Sequence, residues 1–243
     1  MNRYRIQWAR ALIGLALMGV GFSTSYASGL SLYEATYTTK LMGIKVTLNC
    51  RLTREGDRYH LRQSAKVPLL LKLNEDSHFS LNGNQIVGEK FVHQREGVSN
   101  RRREVLFDQQ NGNIRSLKKE EWTEHPWSPD VLDRLSQQEQ MRLKLLGSET
   151  PPERISLSII DGPRIKLKHF DLVETGTLDT SVGSLNTVHY TLRHEDPSER
   201  SSDAWLAMDH DFLMVRTEHV EDGSKTVIEI QSATVEGSPV KGS

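Results

Sequence analysis

The sequence predicts a mainly β fold: an antiparallel curved sheet forming an incomplete or closed β-barrel, with one principal α-helix over about residues 129–146 packed against it. Three observations carry that prediction. Apolar and polar residues alternate with a period of two early in the chain, and Asn-Gly and Asp-Gly pairs recur between segments rich in β-branched and aromatic residues. Only one long stretch has the spacing of an amphipathic helix.

The first segment reads as an address. Arg3, Arg5 and Arg10 precede the apolar run Ala11–Phe22, and Ser25 and Ala27 supply the small residues that signal peptidase requires. Residues 1–27 are therefore expected to be a cleaved secretory signal, with the periplasm as destination. An uncleaved anchor is the competing reading, but the strongly apolar part is only about a dozen residues, short of the roughly 20 that span a bilayer. No Cys stands at the cleavage point, so a lipid anchor is not indicated. Residues 28–235 then form a single β-rich domain, and 236–243 a flexible tail.

Charge narrows the function classes. Lys and Arg number 31 against 32 Asp and Glu, and removing the three leader arginines takes the net charge from -1 to -4. That leaves no general basic excess for a nucleic-acid backbone. A single Cys excludes an internal disulfide framework and a thiolate zinc cage.

Strands follow in order. Tyr33, Ala35, Tyr37, Thr39 and Leu41 alternate with polar residues, Met42-Gly43 offers a turn, and Ile44, Val46, Leu48, Cys50 and Leu52 share the apolar face of the next strand. Cys50 is therefore expected to be buried. Glu55-Gly56-Asp57 turns the chain into Tyr59, Leu61, Ala65 and Val67, completing an antiparallel meander. Further turns are expected at Asn82-Gly83-Asn84, Asn111-Gly112-Asn113, Asp161-Gly162 and Asp222-Gly223, which together imply roughly ten strands.

The helix is expected to begin at Ser128 as N-cap and Pro129 as first residue and to end at Gly147. Leu135, Met141, Leu143 and Leu145 lie on its apolar arc, into which Gln138, Glu139 and Arg142 intrude. Those three read as a partly exposed middle turn or, more sharply, as polar contacts inside a binding cleft. A helix of about 18 residues is roughly 27 Å long and 10 Å wide. It cannot cover the apolar side of a sheet of roughly ten strands spaced 4.8 Å apart. The sheet must therefore curl on itself, fold over, or leave an apolar concavity.

Catalytic signatures are missing: the sequence contains no Gly-x-Ser-x-Gly, His-Glu-x-x-His, Walker loop or Gly-x-Gly-x-x-Gly. Ser116-Leu-Lys-Lys119 matches Ser-x-x-Lys, but it falls at a strand end, whereas the motif needs a helix start. Asp209-His210-Asp211 gathers possible metal ligands, although neighbours in a turn rarely aim at one ion. Arg101-Arg102-Arg103, with Arg95, is the one basic cluster; Glu96, Glu104 and Asp108 make a solvated loop the plain reading, and an anionic headgroup site the functional one. Trp122, Pro126 and Trp127 read as a loop stapling the helix onto the sheet, or as a cavity mouth.

Several stretches together resemble the bacterial exported family called domain of unknown function 3108. Tyr33-Glu-Ala-Thr-Tyr-Thr-Thr-Lys-Leu-Met-Gly-Ile44 looks like its opening strand and turn, and Asp130–Leu145 like its central helix. Leu178–Gly183, Asp203–Asp209 and Met214–Arg216 ahead of Glu221-Asp-Gly223 look like its C-terminal half. The resemblance spans nearly all of residues 31–231. It implies an incomplete β-barrel with a helix on its concave side, in the style of periplasmic lipoprotein carriers, and it transfers no catalytic residues.

The function expected is a non-catalytic periplasmic module that binds an apolar or amphipathic, lipid-like ligand, with Tyr33, Tyr37, Leu48, Leu135 and Trp127 as candidate lining residues. Taken singly, each of these residues reads first as filled barrel core. The alternatives are an envelope assembly protein pairing with another protein, and a hydrolase whose site is assembled from distant residues. No catalytic residue, cofactor or metal, no nucleic-acid partner and no stable membrane span after signal removal is expected.

Overall fold

The computed structural model describes residues 29–41, 43–67, 71–97, 100–194 and 200–243. The leader expected over residues 1–27 lies outside them. The first half is an antiparallel meander of eight strands: β1 (Tyr33–Leu41), β2 (Ile44–Glu55), β3 (Arg58–Val67), β4 (Leu71–Asn82), β5 (Gln85–Gly97), β6 (Arg101–Asp108), β7 (Asn113–Lys118) and β8 (Glu121–Pro126). A short strand β9 (Val131–Leu132) and the helix α1 (Gln137–Leu146) follow. The second half runs through β10 (Arg154–Asp161), β11 (Arg164–Thr180), β12 (Gly183–Leu192), β13 (Arg200–Ala207), β14 (Leu213–Glu221), β15 (Ser224–Val235) and β16 (Ser238–Pro239).

The sixteen strands of the described residues form one sheet, in which β15 pairs with β1 and joins the two halves. The ends of the sheet are β8 and β9. Only residues 127–130 lie between those two strands in the chain, and that link reaches at most about 17 Å. The sheet must therefore curl through almost a full turn. Fifteen strands in sequence along the sheet at about 4.8 Å spacing have a circumference near 70 Å, hence a diameter of about 20–25 Å. Side chains on both walls leave room for a helix about 10 Å wide. Bulges at Thr36/Tyr37, His78/Phe79, Leu172/Glu174 and Trp205/Leu206 bend the strands that make the curve. With β8 and β9 unpaired to each other, the barrel is open along one seam.

The turns expected at Asn82-Gly83-Asn84, Asn111-Gly112-Asn113, Asp161-Gly162 and Asp222-Gly223 all separate consecutive strands. Asp222 and Gly223 both take positive φ, 49° and 73°, as a two-residue hairpin turn requires. There are more strands than the expected ten, because polar stretches such as residues 171–180 of β11 are held as β by their neighbours without a period-two signal of their own.

Two expectations are corrected. The helix spans Gln137–Leu146 and not 129–146. Val131 and Leu132 are captured by β10 as a parallel pair, and Asp133 resets the helix start: its Oδ1 accepts the backbone N–H groups of Leu135 and Ser136 at 2.8 and 2.9 Å. Nor is 236–243 a loose tail. Strand β16 pairs with β15, Val240 is 3% exposed, and Gly242 and Ser243 bond to Val182 and Ser184. An alternating polar and small sequence with one valine carries no signal of that docking.

Candidate functional site

Helix α1 lies inside the curl and is buried on nearly every side: Glu139, Gln140, Met141, Arg142, Leu143 and Leu145 are all buried. Glu139 and Arg142 are 0% and 1% exposed, so the middle turn is not the partly exposed one that its polar residues suggest. Each polar group there has partners. Arg142 Nη1 donates to Glu139 Oε2 at 2.6 Å, and Tyr33 from β1 donates its hydroxyl to Glu139 Oε1 at 2.8 Å. Arg142 also donates to the carbonyls of Asp211 and Ser31, and its guanidinium stands 5.0 Å from the Tyr33 ring centroid. Gln140 bridges the β4–β5 turn, accepting from Ile86 N–H at 2.7 Å and donating to Asn84 O at 3.0 Å. Asp133 Oδ2 accepts from Ser77 Oγ at 2.7 Å and from Ser136 Oγ at 2.9 Å. Burial raises the Asp133 pKa against those hydrogen bonds.

The five residues expected to line a ligand cavity join this interior. Tyr33, Tyr37, Leu48 and Leu135 are buried in the hydrophobic core, with Trp127 partly buried against it. Tyr37 faces Leu48 across β1 and β2 and donates its hydroxyl to Met214 O at 2.8 Å. Cys50 is 5% exposed on the apolar face, as its period-two position implies, with its sulfur 3.5 Å from the Tyr33 hydroxyl. Burial foremost, with the nearby Glu139 charge adding to it, pushes its thiol up to about 11.

A different place offers accessible chemistry. Along the seam, β6 to β8 on one side and β10, β11 and residues near the β13 and β14 ends on the other enclose a cleft of about 860 Å³. A second cleft of about 950 Å³ adjoins it around Arg101, Arg102 and Arg103 and shares Arg103, Lys118 and Lys119 with the first. Together their walls carry eleven Lys and Arg against five Asp and Glu, in a chain of net charge -1. Asp161 spans the seam: Arg103 Nη1 reaches it at 2.7 Å and Lys118 Nζ at 3.4 Å. Burial disfavours the Asp161 carboxylate, but Arg103, Arg134 and Lys118 outweigh that and hold its pKa below the usual range. Gly162 makes this approach possible, since a Cβ at its φ of +63° would come 2.2 Å from Lys118 Cδ.

The wall formed by β11 inverts the usual pattern. Lys166 and Lys168 oppose Ile159 and Leu157 of β10, both buried, so the lysines share the concave face. Ile165 and Leu167 lie on the outer face, and Leu167 is 60% exposed. Burial, together with the charges of Arg134 and Lys166, lowers the Lys168 pKa. The sequence singled out Arg95 and Arg101–Arg103 but not Arg134, Lys166 or Lys168. The Arg-Ile-Lys-Leu-Lys alternation was visible there; which face points inward depends on the register.

The other candidates resolve plainly. Asp209 accepts from Asn186, Asp211 from Ser31, and His210 contacts Lys241 O, so the Asp-His-Asp run diverges. Ser116 sits on β7 and Lys119 in the following turn at φ 54°, without a helix. Ser202 Oγ lies 2.7 Å from His219 Nδ1, and His219 Nε2 lies 3.6 Å from Glu221. This Ser–His contact belongs to a ladder whose imidazole is 46% exposed, not to the enclosed, water-excluded setting in which such a contact activates a nucleophile. No helix among the described residues is long and apolar enough to cross a membrane.

A curled, open antiparallel barrel with a helix through its interior and a basic cleft at its seam defines a β-barrel-like protein. Residues 32–230 match the family described as "Protein of unknown function (DUF3108)", and the chain belongs to that family. Among solved structures it is similar to the β-barrel-like protein of domain of unknown function DUF1849 from Brucella abortus, at 9% identity and a TM-score of 0.53, covering 85% of this chain and 98% of that one. That likeness concerns the fold alone. A protein from Parabacteroides distasonis described as "a putative lipoprotein" aligns at 8% identity and a TM-score of 0.30, covering 84% of this chain and 96% of that one. A search of the curated proteins finds no match.

Proposed function

We propose that the protein is a non-catalytic module of the cell envelope that binds an amphipathic, lipid-like ligand at the open seam of its barrel. The observation that carries this reading is the seam itself, where the sheet leaves a cleft walled by cations on its concave side. Exposed apolar side chains lie on the outer face of the strands that flank it, Trp122 on β8 and Ile165 and Leu167 on β11. A polar head would sit among the cations and an apolar portion against Ile159 and the interior behind it. In this reading Tyr33, Tyr37, Leu48, Leu135 and Trp127 form the interior behind the seam, and an apolar tail reaches them only by displacing α1. The leader-like first 27 residues support delivery to the periplasm, where such carriers operate.

Native mass spectrometry of protein purified from its own envelope, paired with thermal-shift measurements against phospholipids and fatty acids, tests the reading. A co-purifying amphiphile and a dose-dependent rise in Tm are expected. Neither a bound molecule nor any shift would reject it. A second reading, pairing with an envelope protein, draws on the free edge of β8. Cross-linking that captures one stable partner while lipid screens stay blank would favour it.

A further inference from the structure

We infer that the seam cleft holds a specific site for a phosphate-type oxyanion, built by Arg103, Lys118, Arg134, Lys166 and Lys168. Four separate parts of the chain supply these cations: β6, β7, the turn before α1, and β11. Gathering like charges in a confined space raises the free energy of the folded protein unless an anion is held there. Among the described residues Asp161 is the only carboxylate bonded to any of them, and it is already shared by Arg103 and Lys118. Among the described residues, Arg134, Lys166 and Lys168 have no carboxylate within salt-bridge distance.

Two features set this site apart from an ordinary charged surface. Arg103, only 16% exposed, keeps Nη1 on Asp161 and leaves its Nε buried without a partner, so a fixed guanidinium has a donor in reserve. Lys166, itself exposed, and the half-buried Lys168 stand on the concave face opposite Ile159 and Leu157, while Ile165 and Leu167 take the outer face. A strand that only completed a barrel would be turned the other way round. Inward-facing lysines near a sheet end can also serve only to deter edge pairing. That role predicts no saturable anion binding.

The site stands on the geometry of the seam and does not require a lipid. A phosphate could come from a lipid headgroup or from a soluble phosphorylated compound, and the test separates the two. The mature chain is titrated with inorganic phosphate at constant ionic strength, with chloride as the competing anion, by calorimetry and by 31P NMR. Saturable binding is expected, with a phosphate-dependent rise in Tm. Affinity should fall at least tenfold in Arg134→Gln and in Lys166→Gln/Lys168→Gln, and stay unchanged in Lys45→Gln, an exposed lysine of β2 remote in the chain from these five. Melting of the variants without ligand guards against misfolding: relief of repulsion should leave Tm equal or higher. Phosphatidylglycerol vesicles that sediment with wild type but not with the lysine variant assign the anion to a headgroup. Vesicle indifference beside intact phosphate binding assigns it to a soluble compound and counts against the lipid reading alone. Absence of saturable phosphate binding, or equal binding by the variants, overturns the site.

Discussion

Replacing Glu139 with Gln removes one charge from the middle of the barrel and little else. Gln can still accept from the Tyr33 hydroxyl, which sits 2.8 Å from Oε1, but the Arg142 guanidinium 2.6 Å from Oε2 loses its counter-ion. Both side chains are essentially inaccessible, at 0% and 1%, so solvent cannot replace what is lost. Breaking one side of a buried pair costs about 3–5 kcal/mol, a large part of the 5–15 kcal/mol that holds a domain together. Remaining contacts of Arg142 with two backbone carbonyls and the Tyr33 ring place the expected loss at the lower end, about 3 kcal/mol. With a urea m-value of about 2 kcal/mol/M, the unfolding midpoint should fall by about 1.5 M with m unchanged. The double variant Glu139→Gln/Arg142→Met, which leaves no buried charge, should recover most of that, giving a coupling of at least about 2 kcal/mol. A single variant within about 1 kcal/mol of wild type, or two single effects that simply add, would refute the view of α1 as a plug held by a buried ion pair.

Other consequences follow from the same packing. Cys50 should resist thiol reagents in the native protein and react once it is unfolded; its pKa is raised from 9.0 to about 11, and that of Tyr190 from 10.0 to about 12, in both cases by burial first. For groups with raised folded-state pKa values, stabilisation is complete below the unfolded values and is lost as pH rises through the folded ones. Denaturant titrations should therefore show stability declining between about pH 9 and 12, by up to about 3 kcal/mol per group. Gly162→Ala forces a side chain into positive φ and into Lys118, which should lower Tm by about 3–6 °C and weaken phosphate binding through the displaced lysine. Deleting residues 240–243 unseats Val240 and frees the Ser184 amide, so a loss of about 2–3 kcal/mol and faster hydrogen exchange at Ser184 are expected.

Much of the β architecture could be read along the chain because its signals are local. The period-two alternation of Ile44–Leu52 places Cys50 inward, and Asp-Gly and Asn-Gly turns fall where the strands reverse. The helix was only half legible. Ser128, Pro129 and Asp130 look like a helix start, yet pairing with β10 and the carboxylate of Asp133 move the start to Gln137. Glu139 and Arg142 look solvated because a charge on an apolar arc is costly unless its partner is known. The partner three residues on and Tyr33, more than a hundred residues away, are revealed only by packing.

The anion site was barely legible for a related reason. Arg101–Arg103 is visible as a run, whereas Arg134, Lys166 and Lys168 are scattered singly and become a cluster only when the sheet curls. The sequence alone determined that the chain forms many antiparallel strands with one helix, and that so few helical residues could not cover so much pleated surface. The tertiary structure decided that the curl stays open, that the helix fills the interior, and that the cations meet at the seam. Period and turn chemistry act between neighbours, while the register of a closing sheet and the pairing of buried charges depend on residues that only the fold brings together.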